Sequence, residues 1–422
     1  MMSLRSRFMT WATRWYLARA SKKGFDLSKM ALLPDSALLP LKRDGLDPVP
    51  ALGEFRDREP VTKLPIPFGV NVWLVTGYEE AKTVLADAKR YSNDFANLVG
   101  QHGASESHSP GGLGFADPPD HTRLRKILTP EFTMRRLSRL TPGIKAIIDK
   151  QLDEMAAVDG PVDLAEHFAL PIPSLVICEL LGVPYHDRDE FQRLSMARFD
   201  LFGGATASLG AISESLAYLT EVVRKQRVEP GDGLLGMIIK DHGDQVSDLE
   251  LAGLADGVLT GGFETTASML AVGALVLLQD RDTFKLVHDD DTAIHGFVEE
   301  VLRYLTVVQV AFPRFAREDT EVGGIQISKG DVVIVSLSGA NRDPALGEGM
   351  EKVDPHRAPT THLAFGYGVH RCIGAELARM ELRAAYPALL RRFPNMRLAT
   401  DDLTFRKVSI VYGLDALPVL LT

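Results

Sequence analysis

The chain has 422 residues, of which 45% are hydrophobic and 24% charged, and these proportions are typical of a globular protein rather than a disordered or fibrous one. Acidic side chains outnumber basic ones and give a formal net charge of −9, which argues against nucleic acid as a partner. Only two cysteines occur, so a disulfide scaffold and a cysteine-rich zinc site are excluded, and a cytoplasmic location fits best.

The N-terminus differs from the rest of the chain in charge. Residues 1–30 carry seven basic side chains against one acidic one, and two of the three tryptophans lie there. We therefore divide the chain into an arm, 1–45, and a single domain, 46–422. The arm fits an amphipathic helix that touches a membrane surface, and it fits equally a segment packed on the protein's own body.

The first predicted elements are a strand over 71–77 and a helix over 78–90, because an apolar β-type run is followed by helical periodicity. Residues 100–114 contain five glycines and no periodicity, which fits either a functional loop or surface disorder. From 118 to about 305 the pattern is almost wholly helical.

The longest predicted helix begins at a capping box formed by Ser247 and Glu250 and extends to Gln279, roughly 50 Å. Its second half is apolar on all faces, so we expect a buried central helix. Its apolar run, 267–278, is the best candidate for a membrane span in the chain and is too short to be one. Strand patterns return at 321–327, at 331–337 and from 403 onward, so the fold is expected to be mainly α with a small β region.

Residues 365–374 read FGYGVHRCIG, and a strongly helical pattern follows. The glycines permit tight backbone geometry, so Cys372 lies on a constrained loop just before a helix. Backbone N–H groups and the helix dipole stabilise a thiolate there. Such a thiolate is either a nucleophile or an axial ligand to haem iron, whereas Cys178, in an apolar helical segment, is read as a core residue.

Two further patterns depart from ordinary helix composition. Gly261 and Gly262 interrupt the central helix, and Glu264 and Thr265 follow them on what should be a buried face. Such departures usually mark a functional site, although bending of the helix by the threonine is an alternative.

The loop around Cys372 resembles the haem-binding loop of the cytochrome P-450 superfamily. The family's pattern Phe-Gly-x-Gly-x-x-x-Cys-x-Gly is matched in full by Phe365, Gly366, Gly368, Cys372 and Gly374. The resemblance implies that haem b (iron protoporphyrin IX) is the cofactor and that Cys372 is the axial ligand of its iron, where thiolate favours O–O cleavage.

Three other segments resemble the family's motifs in the expected order. Glu300, Arg303 and Arg357 match its Glu-x-x-Arg element and the third member of that ion-pair group; by themselves, Glu300 and Arg303 would read as a solvated helix face. Gly261, Glu264 and Thr265 match the oxygen-binding groove and its acid–alcohol pair for proton delivery. The resemblance assigns the haem propionates to the following side chains: His121, Arg125, Arg314 and His370.

The fold implied by this resemblance is a triangular prism, with haem between the central helix and the helix after Cys372. The implied reaction inserts one oxygen atom from O2 into a C–H bond of a lipophilic small molecule. Electrons would come from a ferredoxin or flavodoxin with an NAD(P)H-dependent reductase, which a basic patch of Arg123, Lys126 and Arg371 would attract. We expect a monomer.

The substrate pocket implied by position is mostly apolar. Its predicted residues are Phe95, Leu113, Thr260, Gln309, Val310 and Val411. A fatty acyl or similar lipid is favoured because of the basic, aromatic arm; a steroid, terpene or polyketide is the alternative.

Two other classes of function remain open. A non-oxygenating enzyme or sensor could use the same haem-thiolate fold, although the Glu264 and Thr265 pair argues against it. A cysteine-nucleophile enzyme without haem would need His370 as its base, and the sequence offers no third group to orient that histidine.

Overall fold

The computed structural model describes residues 36–66, 71–94, 112–183, 187, 205–406 and 408–422, with the side chains of 205–213 left out. Phe95 of the predicted pocket and residues 1–35 of the predicted arm lie outside the described residues.

The described chain is mainly helical. Its α-helices are α1 (Pro50–Arg58), α2 (Tyr78–Ala86), α3 (Asp120–Leu128), α4 (Met134–Leu137), α5 (Thr141–Ala156), α6 (Pro171–Leu181), α7 (Ala205–Val228), α8 (Leu234–His242), α9 (Asp248–Gln279), α10 (Arg281–Asp289), α11 (Ala293–Leu305), α12 (Leu337–Ala340) and α13 (Ala375–Arg392).

The strands are short. They are β1 (Arg43–Asp44), β2 (Asp47–Pro48), β3 (Val61–Leu64), β4 (Val72–Val75), β5 (Tyr91–Ser92), β6 (Val162–Asp163), β7 (Arg314–Ala316), β8 (Thr320–Val322), β9 (Ile325–Ile327), β10 (Val332–Val335), β11 (Arg397–Leu398) and β12 (Pro418–Leu420).

The largest sheet has the strand order β3-β4-β10-β7-β5. β4 and β10 are parallel, with Val332 opposite Val72, and the other neighbours are antiparallel. The predicted strand at 71–77 and the helix after it are confirmed as β4 and α2.

Two sequence-based strand predictions are corrected by the structure. The run 321–327 lies in a hairpin rather than one strand, because Gly323 and Gly324 adopt φ of +56° and +80° and turn the chain between β8 and β9. Two consecutive residues with positive φ are what a tight hairpin turn requires. After residue 403, the chain makes only isolated bridges until β12 begins at Pro418.

The central helix is confirmed as α9, including its capping box. Oγ of Ser247 accepts the backbone N–H of Glu250, and the carboxylate of Glu250 accepts the backbone N–H of Ser247 at 2.9 Å. By length and composition, α9 could cross a membrane, which corrects the prediction that its apolar run is too short to do so. However, 72% of its most apolar 18-residue window is buried inside the protein. It packs against α6, α7 and α13 and is therefore a core helix.

α9 and α13 cross closely because a glycine lies at the crossing. A Cβ atom on Gly273 would lie 2.0 Å from the hydroxyl of Tyr386, and that hydroxyl donates to the carbonyl of Met269 at 2.5 Å. The close approach fixes the helix that follows Cys372 against the centre of the molecule.

The described part of the arm packs on the domain. Leu38 and Leu41 are buried, and the guanidinium of Arg43 donates to the side chain of Gln309 at 2.9 Å. Residues 36–45 are therefore packed on the body of the protein. For this part of the arm, the structure favours packing over contact with a membrane surface, the two alternatives that the sequence left open.

Candidate active site

The loop that carries Cys372 is held by its glycines and by backbone hydrogen bonds. Gly366 and Gly368 have φ of +67° and +73°, and a Cβ on Gly368 would lie 2.4 Å from the carbonyl oxygen of Leu85. The N–H of Cys372 donates to the carbonyl of Phe365 at 2.8 Å. Only glycine therefore fits at 368, and the position of Cys372 is fixed before α13 begins.

The thiol of Cys372 is accessible although protein surrounds it, while Cys178 is fully buried in the core. Burial raises the pKa of the Cys372 thiol, and the N–H of Gly374 together with the guanidinium groups of Arg125 and Arg371 counteracts that rise. A bound metal ion overcomes such a cost outright, since a coordinating thiol loses its proton. The surroundings of Cys372 therefore fit a thiolate that serves as a metal ligand.

Among the described residues, Cys372 has no protein side chains around it that would complete a metal site. Within the described residues, no group of three or more His, Cys, Asp or Glu side chains could hold a metal ion. A single thiolate fits an iron whose other ligands come from a macrocycle.

A cluster of two imidazole and two guanidinium side chains lies beside the Cys372 loop. The imidazole rings of His121 and His370 are 4.2 Å apart. Both ring nitrogens of His121 are buried, and neither has a hydrogen-bond partner among the described residues. Burial and the neighbouring charges of His121, Arg314 and Arg125 lower the pKa of His370 to about 3. The structure thus brings together the four side chains that the sequence assigned to the propionates.

The acid nearest to this cluster already has its own partners. Asp117 pairs with Arg317 at 2.5 Å and accepts a hydrogen bond from Ser92. Arg314 is buried, and burial lowers its pKa to about 10. Two carboxylates from a ligand would satisfy these donors, so the cluster fits the propionates of haem b.

The glycines of α9 have different surroundings. A Cβ on Gly261 would meet no atom within 4 Å, whereas a Cβ on Gly262 would lie 3.1 Å from Cδ1 of Ile177. Gly262 therefore serves the packing of α9 against α6, and Gly261 leaves open space at the helix surface. The hydroxyl of Thr265 donates to the carbonyl of Gly261 at 2.7 Å, which is the back-bonding that bends helices.

Glu264 forms an ion pair that sequence reasoning missed. Its Oε1 accepts a hydrogen bond of 2.7 Å from Nη1 of Arg406. Burial raises the pKa of Glu264, and Arg406 partly reverses the effect. Arg406 lies 142 residues further along the chain, and no sequence pattern connects the two.

The Glu300 group is an internal ion-pair network and not a solvated helix face. The guanidinium of Arg303 donates twice to the carboxylate of Glu300 at 2.8 Å, and Arg357 donates to it at 3.0 Å. Arg303 also donates to the carbonyls of Asn341 and Met350. Because the side chain of Asn341 accepts the N–H of Leu363 at 2.6 Å, the network supports the segment that leads to the Cys372 loop.

Four of the predicted pocket residues are partly buried, and each of them lies on a different segment of the chain. Leu113 belongs to a short 3₁₀ turn that packs on α9, and Val310 and Val411 lie at isolated β-bridges with Ser336 and Val308. Thr260 has a buried hydroxyl that finds no hydrogen-bond partner in the described part of the chain. Beside them, the rings of Phe115 and Phe312 are 4.6 Å apart, a pair that the sequence analysis did not identify.

Gln309 is a correction to the predicted pocket. Its amide nitrogen donates to the carbonyls of Leu41 and Ser409 at 3.1 Å and 2.6 Å, and its oxygen accepts from Arg43. The amide is fully buried and has no polar atom to offer a substrate. We therefore remove Gln309 from the pocket and assign it to the junction between the N- and C-terminal segments.

Comparison with known proteins identifies the family to which the chain is similar. The family model described as Cytochrome P450 matches residues 67–229 and 211–403. Cytochrome P450 FAS1 of Rhodococcoides fascians is 39% identical over 90% of this chain and 97% of its own length. Cytochrome P450 105C1 of a Streptomyces species is 42% identical over 86% of this chain and 93% of its own.

Solved structures of cytochrome P450 proteins resemble this chain at a comparable sequence identity. P450 StaH from glycopeptide antibiotic A47934 biosynthesis is 39% identical and matches 90% of this chain and 99% of its own, with a TM-score of 0.84. OxyE, a cytochrome P450 involved in teicoplanin biosynthesis, is 37% identical with the same coverage and a TM-score of 0.83. The expected architecture is thereby confirmed.

Proposed function

This chain belongs to the cytochrome P450 family of haem b monooxygenases, and we propose that it inserts one oxygen atom from O2 into a C–H bond of a lipophilic small molecule. The observation that carries the proposal is the accessible thiol of Cys372 beside a cluster of imidazole and guanidinium groups, whose neighbouring carboxylate, Asp117, is already paired with Arg317.

Each residue of this site has a distinct role in the proposal. The thiolate of Cys372 would bind the haem iron, and Phe365 and Gly374 would shape the loop that presents it. The haem propionates would be held by His121, Arg125, Arg314 and His370. When bound, the haem supplies the activation of O2 with two electrons from a donor. Gly261 leaves room above α9 for dioxygen.

Proton delivery is assigned to the acid–alcohol pair of α9. Glu264 takes a proton from solvent and passes it to the hydroxyl of Thr265, whose own proton moves on into the site. The partly buried position of Glu264 supports this role, because burial brings the pKa of a carboxyl closer to neutrality and makes it able to exchange protons.

For the substrate, we propose a lipophilic molecule in contact with Leu113, Thr260, Val310 and Val411. A fatty acyl substrate is preferred because of the basic, aromatic arm. We propose that this arm contacts a membrane surface and that the protein is otherwise a cytoplasmic monomer.

A second candidate substrate is an aromatic peptide. The rings of Phe115 and Phe312 offer contacts to aromatic side chains, and the similar solved structures include proteins of glycopeptide antibiotic biosynthesis.

The electron donor is proposed to be a ferredoxin or flavodoxin with its reductase. Of the three basic residues in the predicted docking patch, Arg123 forms an ion pair with Glu250 and its charge is compensated. Lys126 and Arg371 remain exposed, so we reduce the proposed patch to these two.

An optical titration tests the proposal. Purified protein is titrated with fatty acids, steroids, terpenes, macrolides and a phenolic peptide while the Soret band is monitored. A shift from low to high spin with one class identifies the substrate, and oxygen recovered in the product per NADH consumed then separates a monooxygenase from a non-oxygenating haem protein. A protein without a Soret band after haem supplementation would contradict the assignment.

A further inference from the structure

The Glu264–Arg406 ion pair joins two distant parts of the fold and is largely shielded from solvent. The Glu264 side chain is 14% exposed and the Arg406 side chain 27%. Glu264 lies in the middle of α9, and Arg406 lies in the segment between β11 and β12.

Arg406 is itself held in place by a hairpin that the structure describes at residues 405–406 and 408–414, called here the 405–414 hairpin. Its backbone N–H donates to the carbonyl of Gly413 at 3.0 Å, and Phe405 and Leu414 form an antiparallel bridge. A Cβ on Gly413 would lie 2.8 Å from Oγ of Ser268, so glycine allows the hairpin to approach α9 one turn beyond Glu264. The hairpin therefore presents the guanidinium directly to α9.

The guanidinium of Arg406 has two further contacts. Its Nη1 lies 3.5 Å from the carbonyl oxygen of Val411, and its Nε lies 4.0 Å from the carboxylate of Asp415. Asp415 faces Arg406, and Arg406 is the charged group that acts on Glu264. Within the described residues, the ionisation of Glu264 is thus favoured by a cation that a different part of the chain holds in place.

We propose that Arg406 is a positioning residue for proton delivery, which holds Glu264 ionised and turned toward the 405–414 hairpin until Glu264 exchanges this partner for Thr265. This inference rests on the proposed function of Glu264 and Thr265. For each proton delivered, the carboxylate takes one proton from solvent, leaves the guanidinium and gives that proton to the hydroxyl of Thr265. Thr265 passes its own proton on into the site, so that Glu264 and Thr265 both return to their initial states, and the relay runs twice for each O2 consumed.

The test compares Arg406→Gln and Arg406→Lys in the holoenzyme. Infrared difference spectra follow the protonated carboxyl band of Glu264 against pH, and Glu264→Gln identifies that band. In Arg406→Gln the titration midpoint should rise by at least about one pH unit, a tenfold gain in proton affinity, because burial remains and the cation is gone. Arg406→Lys should return the midpoint toward that of the unmodified protein.

Product formed per NADH is the second measurement. It should fall several-fold in Arg406→Gln and recover in Arg406→Lys, while Arg397→Gln, which removes an arginine of β11 outside the hairpin, should change neither measurement. An unchanged midpoint or an unchanged product yield in Arg406→Gln would overturn the role of Arg406. If Glu264→Gln and Thr265→Ala both keep the full product yield with an intact haem spectrum, the proton relay itself fails, and this result is distinct from the first.

Discussion

Cys372 and Cys178 have opposite surroundings, and this difference decides which of them can act as a ligand. Cys372 is accessible at the end of a glycine-rich loop, and Cys178 is enclosed in α6 among apolar side chains. An enclosed sulfur has no open side for a ligand, whatever its intrinsic affinity for iron.

Replacement of Cys372 by alanine should abolish thiolate ligation. We expect the Soret band of the reduced, CO-bound protein to lose the position typical of thiolate ligation and product formation to fall to background. Cys178→Ala is the matched control: it should keep the spectrum and cost about 1 kcal/mol of stability. A variant at 372 that keeps the thiolate spectrum would contradict the assignment.

Glu381 is a buried carboxyl on α13, and no cation of the described residues pairs with it. One of its oxygens has no hydrogen bond in the described residues, and burial raises its pKa from 4.5 to about 8. The folded protein therefore holds a proton on Glu381 at pH values at which the unfolded chain has released it.

The stability of the protein should accordingly fall as the pH rises from about 4.5 to about 8, because the native state binds more protons than the unfolded state. Glu381→Gln should remove this contribution, at most about 1.4 kcal/mol per pH unit, and so raise the free energy of unfolding at neutral pH. Denaturant unfolding across this pH range checks the prediction. The control is Glu376→Gln on the same helix, whose half-exposed carboxylate is paired with Arg379. Parallel pH profiles for Glu381→Gln and the unmodified protein would contradict it.

At the scale of elements, the Glu300–Arg303 pair shows how α11 holds a loop region in place. The two side chains are only 3% and 0% exposed, and they also bind Arg357 and backbone carbonyls of the 341–352 segment. A buried ion pair is weak evidence for net stabilisation, but loss of one partner leaves an uncompensated charge in the core.

Glu300→Gln should therefore destabilise the protein by about 3–5 kcal/mol. The control is Glu221→Gln, which removes a carboxylate of the same (i, i+3) spacing to Arg224 on the exposed surface of α7 and should cost less than about 0.5 kcal/mol. Thermal or urea unfolding measures both. Equal effects of the two substitutions would show that burial does not determine the strength of the pair.

At the scale of the whole molecule, a net charge of −9 coexists with exposed basic residues near the Cys372 loop. Long-range repulsion would slow an acidic electron donor unless a local patch attracts it. Within the described residues, Lys126 has no ion-pair partner, whereas Arg123 is paired with Glu250.

Lys126→Gln should lower the rate of reduction by a ferredoxin several-fold at low ionic strength. The difference should shrink as salt is added, because the Debye length falls to about 10 Å at 0.1 M. Lys329→Gln removes the same charge from the turn between β9 and β10 and should have no effect on the rate. Stopped-flow reduction over a salt series makes the measurement, and identical salt dependence in Lys126→Gln and unmodified protein would exclude this residue from the docking patch.

Features that depend on neighbouring residues were predictable from the sequence. The capping box at Ser247, the Cys372 loop and the Glu300–Arg303 spacing each involve residues within a few positions of one another, so local geometry determines them. The hairpin at Gly323 and Gly324 is also determined locally, since two adjacent glycines are a turn signal. The prediction of a single strand over 321–327 was wrong because it did not take this signal into account.

Features that join distant segments were decided by the tertiary structure alone. Gln309 is an apolar-pocket candidate by position, yet three segments of the chain enclose its amide and satisfy it. Arg406 acquires its partner Glu264 only because a C-terminal hairpin packs on α9. The sequence by itself thus determined the fold, the cofactor and the candidate ligand, whereas the partner of each buried polar group depends on packing between segments that no local pattern encodes.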